Sequence, residues 1–411
     1  MTSGLGNVQS DNRGLLTLMR SNSALVADTS SSPLRAQDGA AQRGRHAPII
    51  GRAMHMNNSK LEALGWDDWF EERARVSCDP AGGVGRVAAV DRDQLLLLNE
   101  AGAFRAKLSG KYMYQSVSSA ELPCVGDWVC VKKSPADQFG MVHGVLARKT
   151  SLRRKAAGES VEFQMIAANV EVVIVVQSCH YDFNLKRLER YLVMARDGGA
   201  TPCVLLTKTD LAEPAVVAAL VAQIVSAGID VPVLTLSNVT QEGMTELRSA
   251  LEPGKTYCFV GSSGVGKSTL INGLVGREVL ETKVVSGTGE GRHTTVRREL
   301  IVLENGSMVI DNPGMREFGV LGAGGGIEAS YADITARAGH CHFRDCTHTN
   351  EPGCAVLHAL ESGEIDAEHY ENLLKLKRES EYHQLSYAEK RKKDKDFGRL
   401  IKSVKKDLEG N

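Results

Sequence analysis

Two nucleotide-type motifs occur in this chain in an order that few folds accommodate. "FVGSSGVGKSTLINGL", residues 259–274, matches G-x-x-x-x-G-K-[ST] at every fixed position, between an apolar strand and a helix start. "VLLTKTDL", residues 204–211, has the form of a base-reading motif, yet it comes about fifty residues earlier. In most nucleotide-hydrolysing domains the phosphate loop opens the fold and the base motif follows. Either one motif is false or the domain has been rewired.

The chemistry of each motif argues for rewiring. In Gly261-Ser262-Ser263-Gly264-Val265-Gly266-Lys267-Ser268, followed by Thr269, the glycines let backbone N–H groups wrap phosphates, and the helix start adds positive potential. Lys267 is placed to reach the β- and γ-phosphates, and the Ser268 hydroxyl to hold Mg²⁺. In Thr207-Lys208-Thr209-Asp210 the carboxylate of Asp210 can accept from N1–H and the exocyclic amine of guanine, donors that adenine lacks there, so it selects GTP over ATP. Ser237, after the strand "VPVLTL", joins the GTP-binding set. Downstream, "MVIDNPGMREFG" places Asp311 after a short strand reached through an Asn305-Gly306 turn. Asp311 then holds Mg²⁺ through water, and the Gly314 N–H faces the γ-phosphate. Between them "GTGEGRHTTVRREL" offers Thr294 and Thr295, one of whose hydroxyls closes on Mg²⁺. All the parts of a GTP-hydrolysing site are present in rotated order. A circular permutation keeps both motifs and is sterically allowed, because domain termini often lie close together.

Hydropathy patterning divides the chain. Residues 1–58 have no hydrophobic period and read as a disordered tail. Their six arginines, seven serines and lack of lysine or glutamate also fit an organellar transit peptide, against which stand Asp11, Asp28 and Asp38. A start at Met54 or Met56 is equally compatible. A leader segment covers 59–80. Short alternating segments over 81–155 predict a small β-barrel. Alternating strands and helices over 156–325 predict a mostly parallel sheet covered on both faces, with ligands at the carboxyl ends of its strands. Residues 326–411 read as helical and charged.

The net charge of −1 excludes a globally basic nucleic-acid binder and leaves local patches. One is "RKTSLRRK", residues 148–155. Another runs from Glu389 to Lys406, with nine Lys/Arg against three Asp/Glu. Each is either a solvated face or a phosphate-backbone contact. No apolar run approaches the ~18 residues of a membrane span, so no membrane partner is expected. Six cysteines (Cys78, Cys124, Cys130, Cys179, Cys203, Cys258) follow no spacing rule, which suits reduced thiols in a cytosol. The remaining three form C-x₄-C-x-H-x₅-C with a histidine, in "CHFRDCTHTNEPGC". Cys341, Cys346, His348 and Cys354 supply a closed tetrahedral Zn²⁺ set, and four protein ligands make the metal structural. His340 and His342 lie in the same stretch as alternative donors.

A small barrel, a permuted GTPase and this zinc segment together resemble the RsgA (YjeQ) family of small-ribosomal-subunit-dependent GTPases. "ANVEVVIVV", "TKTD", "GSSGVGKSTLIN", "GRHTT", "DNPGMREF" and "CHFRDCTHTNEPGCAV" follow that family's order over about 80–380. The resemblance implies an OB-fold barrel, binding of GTP and GDP, and a late role in 30S subunit maturation. It also implies contact with 16S-type rRNA, hydrolysis stimulated by the subunit, a cytoplasmic location and a monomer. An organellar location is the alternative if the tail is a transit peptide. Two departures stand out: Asn312 where the family usually has Thr, and the long N-terminal tail. The position that holds the water-orienting Gln of Ras-like enzymes is Met315, which cannot do that job. His293, beside the switch threonines, has a neutral imidazole able to accept from water, and the resemblance also points to it as the catalytic residue. The bland reading is that His293 packs the switch or touches rRNA.

Overall fold

The computed structural model describes residues 58–92, 94–116, 118–132, 139–155, 163–277, 298–311 and 324–384. His293, Thr294, Thr295, Asn312, Gly314, Met315, the tail 1–57 and the basic run 389–406 lie outside these residues.

The expected barrel is present, and its pairing identifies it. Five strands, β1 (Gly83–Val90), β2 (Leu95–Asn99), β3 (Gly102–Leu108), β4 (Trp128–Lys132) and β5 (Gly140–Val145), pair in the order β1-β2-β3-β5-β4, and β1 closes on β4. The β3–β5 pair is parallel and the others antiparallel. Helix α3 (Gly110–Gln115) lies in the connection from β3 to β4, capped by Ser109, which accepts from the Tyr112 N–H. This is the topology of an OB-fold. Val87, Leu95, Leu97, Ala106, Val129, Val131 and Val142 fill the interior.

The leader folds against this barrel. Helices α1 (Asn58–Glu62) and α2 (Asp68–Ser77) bring Trp66 and Phe70 onto Trp128, with Trp66 and Trp128 edge to face at 4.7 Å between centroids. Asp67 caps α2 by accepting from the Phe70 N–H. This packing corrects the expectation that all six scattered cysteines are reduced thiols. Cys78, at the end of α2, meets Cys130 of β4 at a Cα separation of 5.3 Å, and the two form a disulfide across 52 residues of sequence. Cys124, Cys179, Cys203 and Cys258 are buried thiols.

The α/β domain follows. A hairpin, β6 (Ser151–Lys155) with β7 (Phe163–Ala168), straddles the expected boundary at residue 155. Strands β8 (Val172–Ser178), β9 (Thr201–Thr207), β10 (Val233–Leu236), β11 (Thr256–Val260) and β13 (Met308–Asp311) run parallel in the order β10-β9-β8-β11-β13, with β12 (Glu299–Val302) antiparallel at the side of β13. Every residue of β8 and β11 is buried, as expected for strands covered on both faces. Helices α4 (Leu185–Asp197), α5 (Pro214–Ser226), α6 (Met244–Ala250) and α7 (Lys267–Val275) supply the cover. A single pairing, Ala89 with Glu299, carries the sheet on into the barrel through β12 and β1.

Arg86 of β1 ties barrel, leader and sheet together. It is 1% exposed and donates to the carbonyls of Leu64, Gly126 and Asn169 and to Thr256 Oγ1. Burial pulls its pKa down to about 10 against the pull of Glu171 and Asp127, so the guanidinium remains charged at neutral pH.

The last described segment is helical: α8 (Gly324–Ser330), α9 (Ala332–Ala338), α10 (Ala355–Glu361) and α11 (Ala367–Gln384). Ile327, Tyr331, Ile334, Val356, Leu373 and Leu376 form a core that also takes in Val193 of α4. The close approach is specific. A Cβ on Gly326 would stand 2.5 Å from the Val193 carbonyl oxygen.

Candidate active site and metal centre

In a parallel sheet, the loops after adjacent strands meet at one edge. The register sets Leu236 beside Thr207, Thr207 beside Ser178, Val175 beside Val260, and Phe259 beside Asp311. The base motif, phosphate loop and Asp311 therefore converge although the sequence scatters them over a hundred residues.

The phosphate loop is built from β11 into α7. Gly261, Gly264 and Gly266 have φ of 151, 82 and 98°, the region L side chains avoid. A Cβ on Gly261 would lie 2.3 Å from the Val176 carbonyl oxygen, so a glycine is required there. Ser262, Ser263, Val265, Ser268 and Thr269 occupy the loop and the first turn, with Val265 and Lys267 buried. The Lys267 ammonium donates to the carbonyls of Gly261 at 2.8 Å and Ser262 at 2.5 Å. Burial lowers its pKa to about 8, opposed by the charges of Asp311 and Asp182. Asp311 is itself 1% exposed, and a carboxylate so buried beside the lysine suits a divalent cation.

The base side is tied to the loop by one hydroxyl and one amide contact. Thr207 Oγ1 donates to the Val265 carbonyl at 2.7 Å, and Asn238 Nδ2 to the Gly266 carbonyl at 3.2 Å. Lys208 has φ 59°, which turns the chain into the short 3₁₀ segment Thr209–Leu211. Ser237 Oγ donates to Asp210 Oδ1 at 2.6 Å while accepting from the N–H groups of Val239 and Thr240. One oxygen of Asp210 is thus fixed, and the carboxylate is oriented before any base arrives. Thr209 Oγ1 and Asn238 Oδ1 are buried without a hydrogen-bond partner, as expected of a surface shaped for a polar ligand.

The structure thus brings together Thr207, Lys208, Thr209, Asp210, Ser237, residues 261–269 and Asp311. Asn238 and Asp182 were missed by the sequence reading. Asn238 carried one usable signal, its place next to Ser237 at a strand end. Asp182 carried none, because its charge acts on Lys267 only through the β8–β11 adjacency.

The four expected zinc ligands also meet. One donor atom from each of Cys341, Cys346, His348 and Cys354 lies within 4.8 Å of all the others. Cys341 Sγ is 3.8 Å from Cys354 Sγ, and both are 3.5 Å from His348 Nδ1. A tetrahedron with Zn–S of about 2.3 Å has S···S edges of about 3.8 Å, so the donor set fits the ion. The outer contacts fit too. The Leu357 N–H donates to Cys354 Sγ at 3.4 Å, and the Tyr370 hydroxyl donates to the His348 carbonyl. The alternatives His340 and His342 are not among the four.

The basic segment 148–155 is partly internal. Arg148 makes a two-pronged pair with buried Asp127, 2.8 Å on each prong, and Lys149 pairs with Asp67. Arg153 pairs with Asp197 and covers the Phe163 ring, while Arg154 is half-buried and contacts Gln164. Three of the five cations of this apparent patch are therefore held in ion pairs.

Comparison with known proteins gives a consistent result. A family model described as RsgA GTPase matches residues 145–321. A Listeria monocytogenes protein described as small ribosomal subunit biogenesis GTPase RsgA 2 is 42% identical over 324 residues, which span 79% of this chain and 90% of the relative. A Methanosarcina acetivorans protein with the same description, without a number, is 39% identical over 79% of this chain and 86% of its own length. Among solved structures, YjeQ from Thermotoga maritima aligns with a TM-score of 0.54 at 26% identity, covering 72% of this chain and 97% of its own. YloQ, described as a circularly permuted GTPase, aligns with the same TM-score at 23% identity over 74% of this chain and 97% of its own, a likeness of fold.

Proposed function

Since the chain belongs to the RsgA GTPase family, we propose that it hydrolyses GTP in the biogenesis of the small ribosomal subunit, gripping rRNA through its barrel and zinc module. The observation that carries the reading is the meeting of Asp210, Lys267 and Asp311 at one sheet edge in permuted order. Asp210, fixed by Ser237, selects guanine. The backbone N–H groups of 262–267 and the Lys267 ammonium take the phosphates. Ser268 and Asp311, with Thr294 or Thr295, would hold Mg²⁺, which neutralises charge developing on the phosphate oxygens. Cys341, Cys346, His348 and Cys354 would hold a structural Zn²⁺, since four protein donors leave no open position.

The attacking water is assigned to His293, and the Gly314 N–H is assigned to the γ-phosphate; both lie outside the described residues. Intrinsic turnover is low in this reading, and the subunit raises it by acting on His293. A monomer working in the cytoplasm is part of the same reading, and no helix among the described residues is long and apolar enough to cross a membrane. Sedimentation with purified small subunits tests the partner. Association should be stronger with a non-hydrolysable GTP analogue than with GDP, and should weaken steeply with salt and on Arg154→Glu. Salt-insensitive association would point to a protein contact instead.

A further inference from the structure

The chain is sharply bent at the one histidine of the metal centre. His348 has φ 61°, a left-handed conformation that a bulky residue keeps only where its surroundings hold it. Its side chain is buried, and its Nδ1 lies 3.5 Å from both Cys341 Sγ and Cys354 Sγ. Side-chain direction follows backbone conformation, so the turn at His348 decides whether the imidazole meets the thiolates.

One side chain spans that turn. Glu351 Oε1 accepts from the Thr347 N–H at 2.8 Å and from the Thr347 hydroxyl, just before His348. Its Oε2 accepts from the N–H groups of Thr349 at 2.9 Å and Asn350 at 3.1 Å, just after it. The Thr347 and Thr349 hydroxyls, 2.8 Å apart, draw the two flanks together. Both carboxylate oxygens are thus committed to the loop, and Glu351 is not among the four donors that converge on the metal position. One such bond would close a surface turn. Four charge-assisted bonds, divided between the two flanks of a single residue, fix the conformation of that residue.

We propose that Glu351 is a positioning residue for the metal: by bridging the N–H groups on either side of His348 it holds the left-handed turn that aims the imidazole at the three thiolates. The role rests on the zinc reading of Cys341, Cys346, His348 and Cys354, and adds to it a residue that supplies no ligand atom. Without the bridge the loop relaxes, the imidazole leaves the donor set, and zinc is held by the thiolates alone. The nucleotide site is untouched, because none of the bonds made by Glu351 reaches the phosphate loop.

The test is competition for zinc between the full chain and a chromophoric chelator of known affinity, with Glu351→Gln and Glu351→Ala. Glu351→Ala should weaken zinc binding by roughly tenfold to a hundredfold, the size of a lost outer contact of a metal ligand. Glu351→Gln keeps one acceptor oxygen and should recover part of that loss. An effect of negative charge alone would make the two variants equal, and that result would overturn the proposal. Cobalt supplies the second readout. In Co²⁺-loaded Glu351→Ala the visible d–d bands should shift as water replaces the imidazole, a change that lower fold stability does not give. Unchanged zinc affinity, or cobalt bands identical to those of the unmodified protein, would overturn the proposal as well. GDP affinity should be unchanged in both variants, which reports that the chain has folded. The zinc reading itself fails only if the unmodified chain binds no stoichiometric metal, which elemental analysis reports separately.

Discussion

His369 Nδ1 lies 2.5 Å from Glu189 Oε1, joining the last described helix to α4 of the α/β domain across 180 residues of sequence. The imidazole is 2% exposed and stacks on Tyr331, and its Nε2 faces Asp333 Oδ1 at 3.4 Å. Asn372 completes the cluster by donating to Glu189 Oε2 and contacting the Tyr331 hydroxyl. Burial alone would lower the pKa of His369, but hydrogen bonds and charge from Asp333 and Glu189 outweigh it and hold it at about 9.

That raised value fixes the sign of a pH effect. The folded state binds the His369 proton more tightly than the unfolded chain, so the contribution is complete below about 6.5 and is lost as pH rises through about 9. Chemical denaturation between pH 6 and 10 should show stability falling over this window. His369→Ala should remove most of the slope and cost roughly 3–5 kcal/mol, because it leaves the Glu189 carboxylate buried without its charged partner, with Asn372 still donating to it. A slope of unchanged size in that variant would reassign the titration to another group.

The metal centre gives a second expectation. Cys346→Ser and His348→Ala should each abolish stoichiometric zinc, measured by elemental analysis. Hydrogen exchange should then quicken across 326–380, where Tyr370 ties α11 to the His348 carbonyl. Nucleotide affinity should be largely retained, since no ligand of the centre contacts the phosphate loop.

Base choice gives a third. Asp210→Asn replaces an acceptor by an amide and should cost roughly 1.5–3 kcal/mol in GTP affinity, as for other hydrogen bonds to charged groups. ATP affinity should not fall with it. Ser237→Ala should reproduce part of the loss, because Ser237 orients that carboxylate from 2.6 Å. Equal affinity of the unmodified protein for GTP and ATP would remove Asp210 from the base site.

What was legible in the sequence was local. The phosphate loop, "TKTD", the strand ending in Asp311 and the zinc spacing each compress their chemistry into a few consecutive residues, so the type of each could be read before any fold was known. The barrel was legible as a class through short alternating segments. Its β3–β5 closure was not, because register leaves no trace in periodicity. The residues missed are those that sheet topology imports. Asn238 reaches the loop from a neighbouring strand end, Arg86 crosses from the barrel to Thr256, and Cys78 finds Cys130 only because an aromatic cluster seats α2 on β4. The basic run 148–155 misled in the other direction. Its charge was visible, but not the Asp127, Asp67 and Asp197 that pair with three of its five cations.

Phosphate release with and without purified small ribosomal subunits tests the central claim most directly. The unmodified protein should turn over GTP slowly alone and much faster with the subunit, and ATP should not be hydrolysed in either case. His293→Ala should keep GTP binding and subunit association while losing the stimulated rate. Stimulated turnover that survived in that variant would move the water to another group. A turnover rate indifferent to the subunit would contradict the account as a whole.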